Sequence, residues 1–140
     1  MGASATPMGS ASKVVVACMN GRRLKGFIFN FSILREDFRL FPEANSPQAD
    51  GEDVQLRDLK AIFFVKDFAG NRERQDSNEL SSGVHGRKLE VTFSDGEKLT
   101  GTTEAYNAKK SGFFMFPADS DSNNSRIFIV NKNVRSVKML

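Results

Sequence analysis

The chain lacks the residues from which most familiar active sites are assembled. Its 140 residues include one Cys, one His and no Trp. One Cys cannot close an internal disulfide, and one Cys with one His falls short of the usual zinc-ligand set. A Ser-His-Asp or Cys-His arrangement would have to use His85, which sits in the polar, Gly-rich stretch Gly83-Val84-His85-Gly86 with no ligand-type neighbours. No apolar run approaches the roughly 18–20 residues that span a bilayer. Charge of one sign is also missing. Lys and Arg number 20 against 17 Asp and Glu, a net charge of +3. By segment the balance is +2 for residues 13–66 (9 basic, 7 acidic), −2 for 67–86 (2 and 4) and +3 for 87–140 (9 and 6). A strong phosphate binder concentrates its cations far more than this. The expectation is a protein that is not an enzyme, with no metal and no cofactor.

What is present fits a globular chain of one domain or two very small ones, with 39% apolar and 26% charged residues. Residues 1–12 are Ala, Ser, Gly and Pro without charge, lacking the basic start and apolar core of a signal peptide, and read as a disordered lead. A cytoplasmic location follows, in keeping with a free thiol.

The most informative feature is internal. Sliding the sequence by 75 residues pairs Lys13–Val65 with Lys88–Leu140 without a gap, with 8 identities in 53 pairs. The identities fall where a fold needs them: Gly21 with Gly96, Leu24 with Leu99, Gly26 with Gly101, Phe38 with Phe113, Phe41 with Phe116, Pro42 with Pro117. Turn glycines and core positions match while surfaces vary, as two copies of one unit require.

Each copy reads as β. Val14–Met19 runs into Asn20-Gly21, and the alternating Leu89–Ser94 runs into Asp95-Gly96, both signals for a two-residue type I′ hairpin. Second strands follow at about 22–31 and 97–106, third strands at 37–41 and 112–116 closed by Phe-Pro, and final pairs at 53–57 with 60–66 and 126–131 with 134–140. The expected fold is therefore all-β: two tandem, internally duplicated five-stranded small barrels at 13–66 and 87–140. Residues 67–86 read as a polar linker, with Arg72–Leu80 as the one place for a short helix.

The copies differ in their faces. Leu89, Val91 and Phe93 alternate with Glu90, Thr92 and Ser94, whereas the matching outward positions of copy one are Val15, Ala17 and Met19. The contrast recurs with Thr102 and Glu104 against Phe27 and Phe29, and with Ser136 and Lys138 against Ala61 and Phe63. An apolar patch of Val15, Met19, Phe27, Phe29 and Phe63 would forgo about 1.5–3 kcal/mol per large side chain in water, so it is a candidate interface. It can pack on the other barrel, on a second copy of the chain or on a foreign protein. Phe27→Asp or Phe29→Asp should then disrupt assembly or solubility, and Thr102→Asp should be mild. Cys18 matches Phe93 and points inward as a small hydrophobe.

Several strings carry resemblances. Leu89-Glu-Val-Thr-Phe-Ser-Asp-Gly-Glu-Lys-Leu-Thr-Gly, then Tyr106-Asn107, then Ile127-Phe-Ile-Val-Asn-Lys-Asn-Val134 resemble the Sm-like/SH3-like small barrels. The resemblance implies the fold. The RNA-reading positions of that superfamily do not carry over, since Gly112-Phe113 stands for its Met-Asn, Val130-Asn131 for its Arg-Gly, and Leu56-Arg57-Asp58 serves copy one no better. Asn30-Phe31-Ser32 is similar to part of the PilZ signature for cyclic dinucleotides, but Arg35 occupies its Gly position and Arg22-Arg23 has the wrong spacing. Arg22, Arg23 and Lys25 remain a candidate anion grip. Asp119-Ser-Asp121-Ser-Asn123 opens like a calcium loop, yet Asn124 and Val130 replace its Gly and Glu, which leaves an Asx-rich turn. Finally Asp58–Gly70, Gly86–Glu97, Gly112–Asp119 and Ser122–Val130 resemble a bacterial family of unknown function across about residues 13–140. That resemblance implies a bacterial source and brings no activity.

The expected role is a non-enzymatic binding or adaptor module whose partner is another protein or a second copy of itself. The alternative is nucleotide (cyclic-dinucleotide) or RNA binding through the basic hairpin residues. No membrane partner is expected.

Overall fold

The computed structural model describes residues 11–29, 31–44, 51–69, 86–119 and 121–140. His85, the candidate helix Arg72–Leu80, Asn30 and most of the expected lead and linker lie outside them. The chain is all-β. Copy one contributes β1 (Ser12–Cys18), β2 (Arg23–Ile28), β3 (Asp37–Leu40), β4 (Glu52–Gln55) and β5 (Leu59–Val65). Copy two contributes β6 (Arg87–Phe93), β7 (Lys98–Thr103), β8 (Gly112–Pro117), β9 (Asn124–Val130) and β10 (Val134–Met139). Single 3₁₀ turns, Leu56–Asp58 and Asn131–Asn133, link the last two strands of each copy. No helix among the described residues is long and apolar enough to cross a membrane.

The hairpin turns differ in register from the expectation. The Gly21 N–H donates to the Cys18 carbonyl at 3.1 Å and the Cys18 N–H to the Arg22 carbonyl at 2.9 Å. Gly96, Phe93 and Glu97 repeat the pattern. Met19-Asn20 and Ser94-Asp95 are therefore the central residues, and Gly21 and Gly96 follow them at φ 89° and 92°. This is a turn closed by a left-handed bulge residue, with the Asn20 and Asp95 carboxamide and carboxylate oxygens each accepting a backbone N–H two residues on. The second strands also stop earlier than expected, at Ile28 and Thr103.

The two expected tandem units are joined in one sheet, and neither is closed by its own strands alone. Eight strands form one continuous sheet in the order β10-β6-β7-β8-β9-β5-β1-β2, and β3-β4 form a second, two-stranded sheet. Hydrogen bonding thus passes directly from β9 of copy two to β5 of copy one, with Ile127 opposite Phe63, Phe128 opposite Ile62 and Ile129 opposite Ala61. The reason lies in composition: both strands are apolar on both faces, and left as edges they would be sticky templates. Within copy one, β2 meets β3 through the single bridge Phe27–Phe41. The duplicated Gly26 and Gly101 mark these crossings, since a Cβ at Gly26 would lie 2.6 Å from the Phe41 carbonyl oxygen and one at Gly101 would collide with that of Phe116.

Two hydrophobic cores result, and they exchange side chains across the joint. The first gathers Val14, Val16, Ile28, Leu59, Ile62 and Phe64 and also takes Phe128 and Val130 from β9. The second gathers Leu89, Val91, Phe93, Met115 and Ile129 and takes Ala61, with Phe63 packed against it, from β5. Alternation along β5 and β9 sends neighbouring residues to opposite cores.

Candidate interaction surfaces

The candidate apolar patch is divided by this arrangement. Phe63 packs on the second core, as one of the expected fates required. Phe29 stacks edge-on against Phe41 at 5.4 Å. Val15, Met19 and Phe27 remain half-buried. Lys13 pairs with Phe27 and Val15 with Lys25, so the face they share carries two aliphatic or aromatic residues flanked by two lysines. Phe68, just past β5, lies edge-on against Phe27 at 5.4 Å. The comparison with copy two changes at one position: Thr102 has strands on both sides, is fully buried, and its Oγ1 has no hydrogen-bond partner. The expectation that Thr102→Asp is mild is therefore withdrawn. Ala17 is likewise buried.

The candidate anion grip does not converge. The Arg23 guanidinium lies 5.6 Å from the centre of the Phe63 ring, and Lys25 Nζ donates to the Phe68 carbonyl at 3.3 Å. Arg22, beside the turn, is exposed. One of the three cations thus covers an aromatic ring and a second is engaged by a backbone carbonyl. Cys18 packs against the first core, and its thiol is held above its ordinary value by burial, with Asp58 and Glu52 reinforcing and Arg22 opposing. A protonated, half-buried thiol is a poor nucleophile.

The joint between the copies carries features that pattern reading missed. Lys60 is buried, its side chain 8% exposed, and its ammonium reaches Asp95 Oδ2 at 2.8 Å and Glu97 Oε1 at 3.2 Å on the β6–β7 turn. It also lies 5.1 Å from the centre of the Phe93 ring. The hydrogen bond from Lys60 holds the Asp95 carboxyl below its usual value, helped by the Glu97 backbone N–H. Asn133 adds a second tie, donating from Nδ2 to the carbonyls of Leu59 and Arg57 at 2.7 and 3.0 Å. Above the joint Phe31 makes edge contacts with Phe38, Phe64, Phe114 and Phe128 at 5.0–6.1 Å. The Arg126 guanidinium sits 4.4 Å from the rings of both Phe64 and Phe114, and burial there lowers its pKa from the ordinary value.

At one end of the joint a groove of about 460 Å³ is lined by Glu36, Arg57, Lys110, Ser111, Asn131 and Lys132 among others. Its rim is ordered: Asn131 Nδ2 donates to the carbonyls of Asn107 and Lys110, and Ser111 Oγ to that of Ile33. Three cations and one carboxylate there form the concave basic site that the hairpin does not. Sequence spacing could have found it, because Arg57 and Lys132 are a matched pair under the offset of 75. Asp119 caps its own turn by accepting the Asp121 N–H at 3.0 Å, and no metal-holding group occurs among the described residues.

An all-β molecule with shared cores, surface patches and a basic groove is the class that these features define. The chain belongs to a family of unknown function (DUF6982), matched over residues 10–140. No curated protein and no solved structure matches it.

Proposed function

We propose that the chain is a non-enzymatic binding module, built from two Sm-like/SH3-like small-barrel repeats and working in the bacterial cytoplasm as an adaptor for another protein. The repeat reading is supported by strand order: β10-β6-β7-β8-β9 in copy two and β5-β1-β2 followed by β3-β4 in copy one are the same 5-1-2-3-4 sequence. One observation carries the docking surface. Val15, Met19 and Phe27 stay half-exposed on the β1–β2 hairpin, where copy two has Glu90, Ser94 and a buried Thr102. A partner that covers this strip with apolar side chains and meets Lys13 and Lys25 with carboxylates fits it in both hydrophobicity and charge. A photo-crosslinking side chain placed at Met19 in the living cell should give a discrete adduct of a second protein, lost on Phe27→Asp. Equal labelling from a probe at Ser94 would contradict the assignment.

A second reading has its own observation. The groove with Arg57, Lys110 and Lys132 would accept a phosphate-bearing ligand such as a nucleotide or RNA strand, in place of the hairpin cations Arg22, Arg23 and Lys25. Its mark is a bound anion that leaves as salt rises.

A further inference from the structure

The internal joint engages one strand from each half of the chain. It uses the last strand of copy one, β5, and the fourth strand of copy two, β9. Under the offset of 75 their counterparts are β10 and β4. These two are held in the same register as their equivalents: β9 pairs with β8 as Ile129–Phe113 and β4 with β3 as Val54–Phe38, while β5 pairs with β1 as Ile62–Val16 and β10 with β6 as Val137–Val91. Among the described residues, β4 pairs only with β3 and β10 only with β6, so each presents one open edge. We propose that the chain assembles head to tail with copies of itself, the β10 edge of one chain pairing with the β4 edge of the next.

The register follows from the internal joint. Phe63 opposite Ile127 becomes Lys138 opposite Glu52, Ile62 opposite Phe128 becomes Val137 opposite Asp53, and Ala61 opposite Ile129 becomes Ser136 opposite Val54. Unlike charges thus meet at the first of these positions. The two edges are of opposite sign throughout, Glu52 and Asp53 on one and Arg135 and Lys138 on the other, and all four are exposed. Pairing β4 with β4 or β10 with β10 would set like charges together, so the charges forbid symmetric edge pairing and permit the heterologous one. A heterologous contact generates a ring where its rotation closes and a filament where it does not.

The contact between chains is weaker than the one within. Lys60 and its acceptors Asp95 and Glu97 are replaced by Arg135, Asn20 and Arg22, so the buried ion-pair clamp is absent. Assembly is therefore reversible and concentration-dependent. It leaves the β1–β2 face free and does not depend on that face as a docking surface.

Sedimentation velocity of the full chain in low salt across a wide concentration series tests this. Masses that rise in multiples of the 15.5 kDa chain are expected. Glu52→Lys and Lys138→Glu should each raise the concentration for half-assembly about tenfold, and the double exchange should restore it. Circular dichroism should be unchanged in all three, since both positions are exposed. A monomer at every concentration, or assembly indifferent to both single variants, would overturn the proposal.

Discussion

Thr102 shows how one side chain can mislead a face assignment. Alternation places it on the same face as Glu90, and that relation holds. Exposure does not follow from it, because Thr102 lies between β6 and β8 in the middle of the sheet. Its buried hydroxyl has no partner, whereas the neighbouring Thr103 Oγ1 donates to the Phe114 carbonyl at 2.8 Å. An unsatisfied buried polar group costs about 1–3 kcal/mol. Thr102→Val, nearly the same shape, should therefore raise the thermal midpoint, with stability gained by roughly 1 kcal/mol. A lowered midpoint in calorimetry would mean that the hydroxyl has a role unaccounted for. Asn20, Gly21, Asp95 and Gly96 were legible in the sequence as turns because their chemistry is local. The one-residue displacement of the turn was not, since it depends on which backbone pair closes the hairpin.

At the level of elements, each of the ten expected strands has a counterpart among the described residues, the second of each half stopping short at Ile28 and Thr103, and the offset of 75 brings out the equivalence of their registers. The joint was illegible for a physical reason. Strands such as β5 and β9, apolar on both faces, read alike whether they lie in a barrel wall, a dimer contact or a continuous sheet. Lys60 was missed for a related cause, as its position matches Arg135 and nothing local marks it as buried. Its clamp predicts a pH dependence. The Asp95 carboxyl titrates below its unfolded value because Lys60 donates to it. A group depressed in this way stabilises the fold above its unfolded pKa, and the contribution disappears as pH falls through the folded one. The stability difference between the wild type and Asp95→Asn should thus be full above about pH 4 and shrink in stronger acid. Chemical denaturation at a series of pH values measures it, and a difference constant down to about pH 2 would contradict the clamp.

On the scale of the whole molecule, the two halves of the chain share one sheet and exchange core residues across the β5–β9 joint. What they present outward is a half-covered apolar strip, two edges of opposite charge and a basic groove. The structure places Cys18 against the first core, where burial raises the pKa of its thiol. The strip was legible from the contrast between copies, although Phe63 left it for the second core. In the groove the offset of 75 relates Arg57 to Lys132, the equivalent 3₁₀-turn positions, but the approach of Lys110 to them is set by the fold alone. The most direct test of a protein-docking adaptor against an anion binder is native mass spectrometry of the full chain purified in low salt. Species with the mass of the bare chain or its multiples are predicted. Additional mass equal to a nucleotide or an RNA fragment, released as salt is raised, would contradict the adaptor reading and move the function to the groove.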